Sequence, residues 1–187
     1  KNNLLTKHAK SAGADSALVV VPYYNKPSQL GLKEHYLKIA DSSDLPLFIY
    51  NIPGRSVVDM NDDTIYELSL HENIIGIKDA TNDLTRPIRL KKNITHKKFF
   101  QLSGEDGTQL AYLAHGGDGV ISVTANIAPK LVSSLHDEWL KENYKDDVRD
   151  GRFKEGQLIN QATVKEKPSF VEQTKNLAGS IFNTITG

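Results

Sequence analysis

Residues 46–81 read PLFIYNIPGRSVVDMNDDTIYELSLHENIIGIKDAT, and their pattern decides the fold class. Two short runs rich in β-branched and aromatic residues, PLFIY (46–50) and IIGIK (74–78), have the composition of buried strands. Between them Asn61 or Asp62 can cap a helix, because a short polar side chain there accepts from the free backbone N–H groups of a first turn. A strand, a helix and a second strand in this order make a βαβ unit, whose strands run parallel.

The same alternation continues on both sides. SALVVV (16–21) precedes the unit, and FFQL (99–102) and GVISV (119–123) follow it. After the first run, Leu32, Tyr36, Ile39 and Ala40 recur at helical spacing behind a capping Ser28. After the last, Leu131, Leu135 and Trp139 do so behind Pro129, a residue that a first helical turn tolerates. Gly116 and Gly117 stop the helix between the fourth and fifth runs. Five parallel strands joined by right-handed helical crossovers form either a doubly wound sheet or a barrel, and periodicity alone does not choose between them.

The two ends differ from this core. KNNLLTKHAK starts with Lys1 rather than Met and reads as an amphipathic helix with Leu4, Leu5, His8 and Ala9 near one face, as if the chain began within a larger unit. Beyond residue 144 the sequence is densely charged, with Gly151 and Gly156 weakening any long helix. A weakly amphipathic stretch from Phe170 to Ile185 predicts one more packed helix. The domain division is therefore 1–144 for the strand-helix units and 145–187 for a charged connection and helical tail.

Composition narrows the function. Lys plus Arg and Asp plus Glu both total 23, so the net charge of zero gives no general attraction to nucleic acid or to an anionic membrane surface. The absence of cysteine removes disulfides, thiolate metal sites and thiol nucleophiles. Neither a membrane span nor a secretory leader is apparent, and the expectation is a cytoplasmic protein acting on a small molecule.

In both parallel architectures ligands bind at the carboxyl ends of the strands. There the runs end in PYYNKP with Tyr23 and Tyr24, in YNIPGR with Tyr50 and Arg55, in Lys78, in SGED and in SVTAN. Lys78 is the only one of 18 lysines that completes an apolar run. Partial desolvation there lowers an amine's pKa and supplies the neutral nucleophile that attack on a ketone needs; the competing reading is a rim lysine that extends its ammonium into water. Tyr50, on the neighbouring strand, is placed to pass protons, or else simply packs. Arg55 follows Pro53 and Gly54 in a turn, where its guanidinium is either a carboxylate clamp or solvated. Glu105 and Asp106 read as helix N-terminal charge and His115 as a helix-end residue. No histidine spacing suits a metal and no glycine-rich loop suits a phosphate or dinucleotide, so neither metal nor cofactor is expected.

The motifs PYYNKP, LFIYNIPGRS, NIIGIKDAT, LSGED and GVISVTAN, in this order, resemble those of dihydrodipicolinate synthases within the wider N-acetylneuraminate lyase family. The resemblance implies a (β/α)8 TIM barrel of which strands 4 to 8 are present. It also implies Schiff-base condensation of pyruvate with L-aspartate 4-semialdehyde in lysine and diaminopimelate biosynthesis, without metal or organic cofactor. Lys78 would form the Schiff base, Tyr50 would relay protons and orient pyruvate, and Arg55 would hold the semialdehyde carboxylate. Tyr24 would reach across a tight dimer contact into a neighbour's site, as part of a homotetramer built as a dimer of dimers. Tyr23 would line a lysine-feedback pocket, while Gly104 and Ile121 would contact pyruvate. Arg55 favours this synthase over sialic-acid lyases and over other pyruvate-dependent class I aldolases.

Two departures from the family pattern stand out. A Gly-Thr-Thr-Gly-Glu loop and the first three strands are missing, and no Thr-Thr pair occurs anywhere in the chain. LINQ (158–161) and SFVE (169–172) are the only traces of the family's C-terminal pattern. The expectation is an incomplete barrel, inactive as a synthase on its own; the rival from another class is a catalytically silent barrel fragment.

Overall fold

The computed structural model describes residues 2–141. Five strands, β1 (Ala17–Val20), β2 (Leu47–Asn51), β3 (Ile74–Asp79), β4 (Phe100–Ser103) and β5 (Gly119–Val120), form one sheet. Every pairing is parallel and the strands lie in chain order, β1-β2-β3-β4-β5. A doubly wound sheet reverses its strand order at a switch point. Here the order never reverses, so the sheet is the wall of a (β/α)8 barrel, with five of its strands among the described residues.

The helices are α1 (Asn2–Ser11), α2 (Gln29–Ala40), α3 (Pro53–Ser56), α4 (Asp62–Ser69), α5 (Arg86–Asn93), α6 (Gln109–Ala114) and α7 (Pro129–Lys141). Their boundaries follow from the caps. Ser28 Oγ accepts from Gly31 N at 3.3 Å to open α2, and Asn61 Oδ1 accepts from Thr64 N at 2.8 Å to open α4. After α6 the chain turns away at Gly116, whose φ of +94° suits a residue without a side chain.

Alternation of side chains along each strand sorts the two faces of the sheet. On one face Val19, Ile49 and Ile77 lie in register and join Leu32, Tyr36, Ile39, Ile65, Leu68 and Leu90 in one buried cluster. Each such side chain contributes roughly 1.5–3 kcal/mol by leaving water. The Tyr36 hydroxyl donates to Val19 O at 2.6 Å, so its burial leaves no unpaired phenol.

On the other face Phe48, Gly76 and Phe100 lie side by side. The phenyl rings of Phe48 and Phe100 approach to 6.1 Å between centres across the glycine. A Cβ at position 76 would lie 2.5 Å from Phe100 O and 2.6 Å from the Phe48 ring. Because the first of these is backbone, it cannot swing aside. Gly76→Ala is expected to lower stability by about 1–3 kcal/mol, the range for overpacking a filled core. The check is the urea midpoint, and an unchanged midpoint would refute this packing.

Three expectations need correction. The fifth strand stops at Val120 instead of running to Val123, because the Asp106 carboxylate takes the N–H groups of Val123 and Thr124 and bends the chain into a 3-10 turn over Thr124–Asn126. Leu131 is exposed, while Leu135 and Trp139 of the same helix are half-buried. On α1 the apolar pair Leu4 and Leu5 faces outward, and Thr6 is the residue buried. The charged connection and tail at 145–187, with the Phe170 to Ile185 helix, lie outside the described residues.

Candidate active site

The carboxyl ends of β1 to β4 carry one row of side chains, in which Val20, Tyr50, Lys78 and Leu102 are successive register partners. Lys78 therefore sits on the central strand, and it is only 8 % exposed. Its Nζ lies 4.1 Å from the centre of the Tyr50 ring. Burial pulls the Lys78 amine below its ordinary pKa, and the Asp106 carboxylate opposes this in part. The Tyr50 ring face also favours the ammonium, by about 0.5–2 kcal/mol. Burial is the larger influence, so the neutral amine is more accessible near neutral pH than in a free lysine.

The same burial raises the Tyr50 phenol, and the Arg55 guanidinium lowers it. Arg55 thus acts on Tyr50 electrostatically although its own side chain is exposed, on the short helix α3. The turn that presents it is held tightly. Ser56 Oγ lies 2.8 Å from Ile52 O and 2.9 Å from Val58 O. Val57 adopts a left-handed φ of 63°, which for a β-branched residue stores on the order of 1–3 kcal/mol.

Gly104 follows β4 and donates its N–H to Asp79 O at 2.7 Å. A Cβ there would lie 2.8 Å from Ala80 Cβ and 3.1 Å from Lys78 Cε. The glycine is therefore what leaves room for the lysine stem. Ile121, half-buried, donates its N–H to Ser103 O at 2.9 Å at the end of β5. Tyr23 and Tyr24 lie on the segment after β1, and both are exposed, Tyr24 to 93 %.

Asp106 does more than charge a helix end. Its Oδ2 accepts from Val123 N, Thr124 N and Thr124 Oγ1 at 2.9 to 3.1 Å. Burial alone would raise this carboxyl, but hydrogen bonds from Ser122, Thr124 and Val123 outweigh it and hold Asp106 below the usual carboxylate range. A stable anion results, and it is the one that acts on Lys78.

Sequence reasoning missed a second layer. Asn51 and Asp79 follow Tyr50 and Lys78 directly, so they project to the opposite face, where both are buried. Arg86, the first residue of α5, is buried among Asp59, Asp62 and Asp79. Burial pushes Asp79 up to about 6, with Arg86 pulling the other way. Because this value exceeds that of the unfolded chain, the bound proton favours folding. That contribution is complete below about pH 4 and is lost as pH rises through about 6. Asp79→Asn imitates the protonated form. It is expected to stabilise the fold above pH 6 by up to about 3 kcal/mol and to change little at pH 4. Urea denaturation at pH 4 and pH 8 measures the difference; an equal loss at both would refute the assignment.

A cavity of about 300 Å³ lies elsewhere, between α5 and the start of β4, lined by Leu90, Ile94, Lys97, Phe99 and neighbours. This is the opposite end of the strands from Lys78, the end associated with stability rather than chemistry in such barrels. Among the described residues no helix is long and apolar enough to cross a membrane.

The profile of the dihydrodipicolinate synthetase family matches residues 3–184. A 4-hydroxy-tetrahydrodipicolinate synthase of Gluconacetobacter diazotrophicus is 57% identical over 135 residues, which cover 72% of this chain and 46% of that protein. One from Bradyrhizobium diazoefficiens is 42% identical over 181 residues, 97% of this chain and 60% of that protein. The crystal structure of the chloride-inhibited dihydrodipicolinate synthase of Acinetobacter baumannii, complexed with pyruvate, superposes with a TM-score of 0.69 at 35% identity, covering 96% of this chain and 70% of that one. The chain spans about half the length of the curated relatives it matches. With a family profile matched almost end to end and a parallel wall that carries a buried lysine at its centre, the chain belongs to the dihydrodipicolinate synthetase family.

Proposed function

We propose that this chain carries the Schiff-base centre of a 4-hydroxy-tetrahydrodipicolinate synthase, which condenses pyruvate with L-aspartate 4-semialdehyde. The observation that carries the reading is the Lys78 amine, buried at the carboxyl end of the central strand and covered by the Tyr50 ring. The neutral amine attacks the ketone carbon of pyruvate to give a carbinolamine. Its hydroxyl takes a proton and leaves as water, giving the protonated imine. Loss of a methyl proton then forms the enamine, whose carbon attacks the aldehyde of the second substrate. The aldehyde oxygen takes a proton to become a hydroxyl, and the adduct is again an imine of Lys78. The amino group of the second substrate then adds to the imine carbon and closes the ring, the bond from that carbon to Nζ breaks, and Lys78 leaves as the free amine.

Tyr50 carries protons in these steps, and Tyr24 of a neighbouring subunit completes the relay. The exposure of Tyr24 on its own subunit supports that role. Arg55 binds the semialdehyde carboxylate, while Gly104 and Ile121 border pyruvate. Tyr23 lines a lysine-regulatory pocket. The complete protein is a cytoplasmic homotetramer, a dimer of dimers, and needs no metal or organic cofactor.

Covalent capture of pyruvate before the second substrate arrives requires ping-pong kinetics. Parallel double-reciprocal lines are expected for the two substrates in the complete barrel. Intersecting lines, or reaction that begins with the semialdehyde alone, would contradict this order.

A further inference from the structure

We propose that Arg86, Asp79, Asp59 and Asn51 form a positioning device that fixes the Tyr50–Lys78 pair from the opposite face of the sheet. The proposal rests on the reading of Lys78 as the nucleophile. Tyr50 and Lys78 are register partners on one face, and Asn51 and Asp79 are the next register partners, on the other. Asn51 Nδ2 donates to Asp59 Oδ1 at 2.7 Å, and Asn51 Oδ1 accepts from Met60 N at 3.1 Å. Arg86 Nη1 lies 3.4 Å from Asp59 Oδ1 and 3.6 Å from Asp79 Oδ1, and its Nε lies 3.1 Å from Asp62 Oδ1. One guanidinium thus ties the end of β3 directly, and the end of β2 through Asp59, to the start of α5.

The backbone carries the tie onward. Ala80 N donates to Asn51 O at 2.9 Å and Gly104 N donates to Asp79 O at 2.7 Å, joining the ends of β2, β3 and β4. A strand end that rotates to release Asn51 or Asp79 must also move Tyr50 or Lys78, because successive side chains are rigidly opposed.

Stability alone accounts poorly for this cluster. Three carboxylates share Arg86, and removing charges from water costs more than such an ion pair commonly returns. Asp79 Oδ2 also lacks a hydrogen-bond partner among the described residues. What the cluster supplies is orientation, and a misplacement of about 1 Å at a reacting group can cost about a hundredfold in rate.

The test uses Asp79→Asn, Arg86→Lys and Asp59→Asn in the complete barrel, with Asp79→Glu as the rescue. Borohydride trapping of pyruvate gives the rate at saturation and the half-saturating concentration. Carbon-13 NMR of the Lys78 ε-carbon follows the titration of the amine without requiring any reaction. Asp79→Asn is expected to be at least as stable as the parent at pH 8, yet to trap about tenfold more slowly, with half-saturation changed by less than about twofold. Lys78 should titrate nearer its ordinary value as water enters, and Asp79→Glu should restore most of the rate.

Unchanged rates per folded molecule with unchanged Lys78 titration would overturn the proposal. Should Asp79→Asn or Arg86→Lys fail to fold, Asp59→Asn decides, since Asp59 is half-exposed and its loss leaves no buried charge newly bare. An absence of any adduct on Lys78 in the parent would remove the nucleophile reading. A Lys78 titration that still shifted in the variants would then uphold the positioning role by itself.

Discussion

Lys78→Ala is expected to eliminate pyruvate capture and to reduce condensation to background, a loss of at least about 10⁴-fold. The strand places this one lysine, 8 % exposed, on the row shared with Tyr50, and among the described residues no other lysine is part of that row. Lys78→Arg should be equally inactive, because a guanidinium remains protonated and has no free amine lone pair to attack with. The pH dependence distinguishes a chemical role from a structural one. Burial depresses the pKa of Lys78, so the trapping rate should rise with pH and level off below the value of a free lysine. Activity surviving in Lys78→Arg would mean that the buried amine packs and does not react.

Arg55→Ala should separate the two substrates. Arg55 is exposed on α3, with the rigid Ser56–Val57 turn behind it, and its charge is felt at Tyr50. A bidentate guanidinium–carboxylate contact contributes about 1.5–3 kcal/mol. Its loss is expected to lower kcat/KM for the semialdehyde by about 10- to 150-fold in the complete barrel while leaving pyruvate trapping within about threefold. Equal losses for both substrates would place Arg55 in the first half-reaction. Burial raises the Tyr50 phenol and Arg55 offsets part of that rise, so losing the guanidinium raises the phenol further and has a small effect on trapping.

The row shared by Tyr50 and Lys78 was legible in the sequence because it depends on local patterns. PLFIY and IIGIK are short apolar runs whose last residues must lie at the carboxyl ends of parallel strands, and both Tyr50 and Lys78 are where those runs put them. The choice between barrel and doubly wound sheet was not legible from periodicity, since both alternate strand with helix. It needed either the family motifs or the observed strand order. The reading of Asp106 as charge in a first helical turn holds but is incomplete, because its partners Val123 and Thr124 lie 17 and 18 residues away and no local rule links them. The same long-range capture explains why GVISV loses the end of its strand.

Asn51, Asp79 and Arg86 were overlooked for a different reason. The side chain after Tyr50 or Lys78 projects to the opposite face, where a polar group ending a buried strand must find partners that the apolar runs themselves do not announce. A rule follows for sequences of this kind: where Tyr-Asn and Lys-Asp close neighbouring strands, the second residue of each pair deserves a search for a buried arginine downstream.

The most direct measurement is mass spectrometry of peptides from the protein reduced with borohydride in the presence of pyruvate. A single reduced pyruvate adduct on the peptide containing Lys78, absent from Lys78→Ala and absent without pyruvate, is the expected result. An adduct on another of the 18 lysines, or none on a protein shown to be folded, would contradict the assignment of Lys78 as the Schiff-base residue.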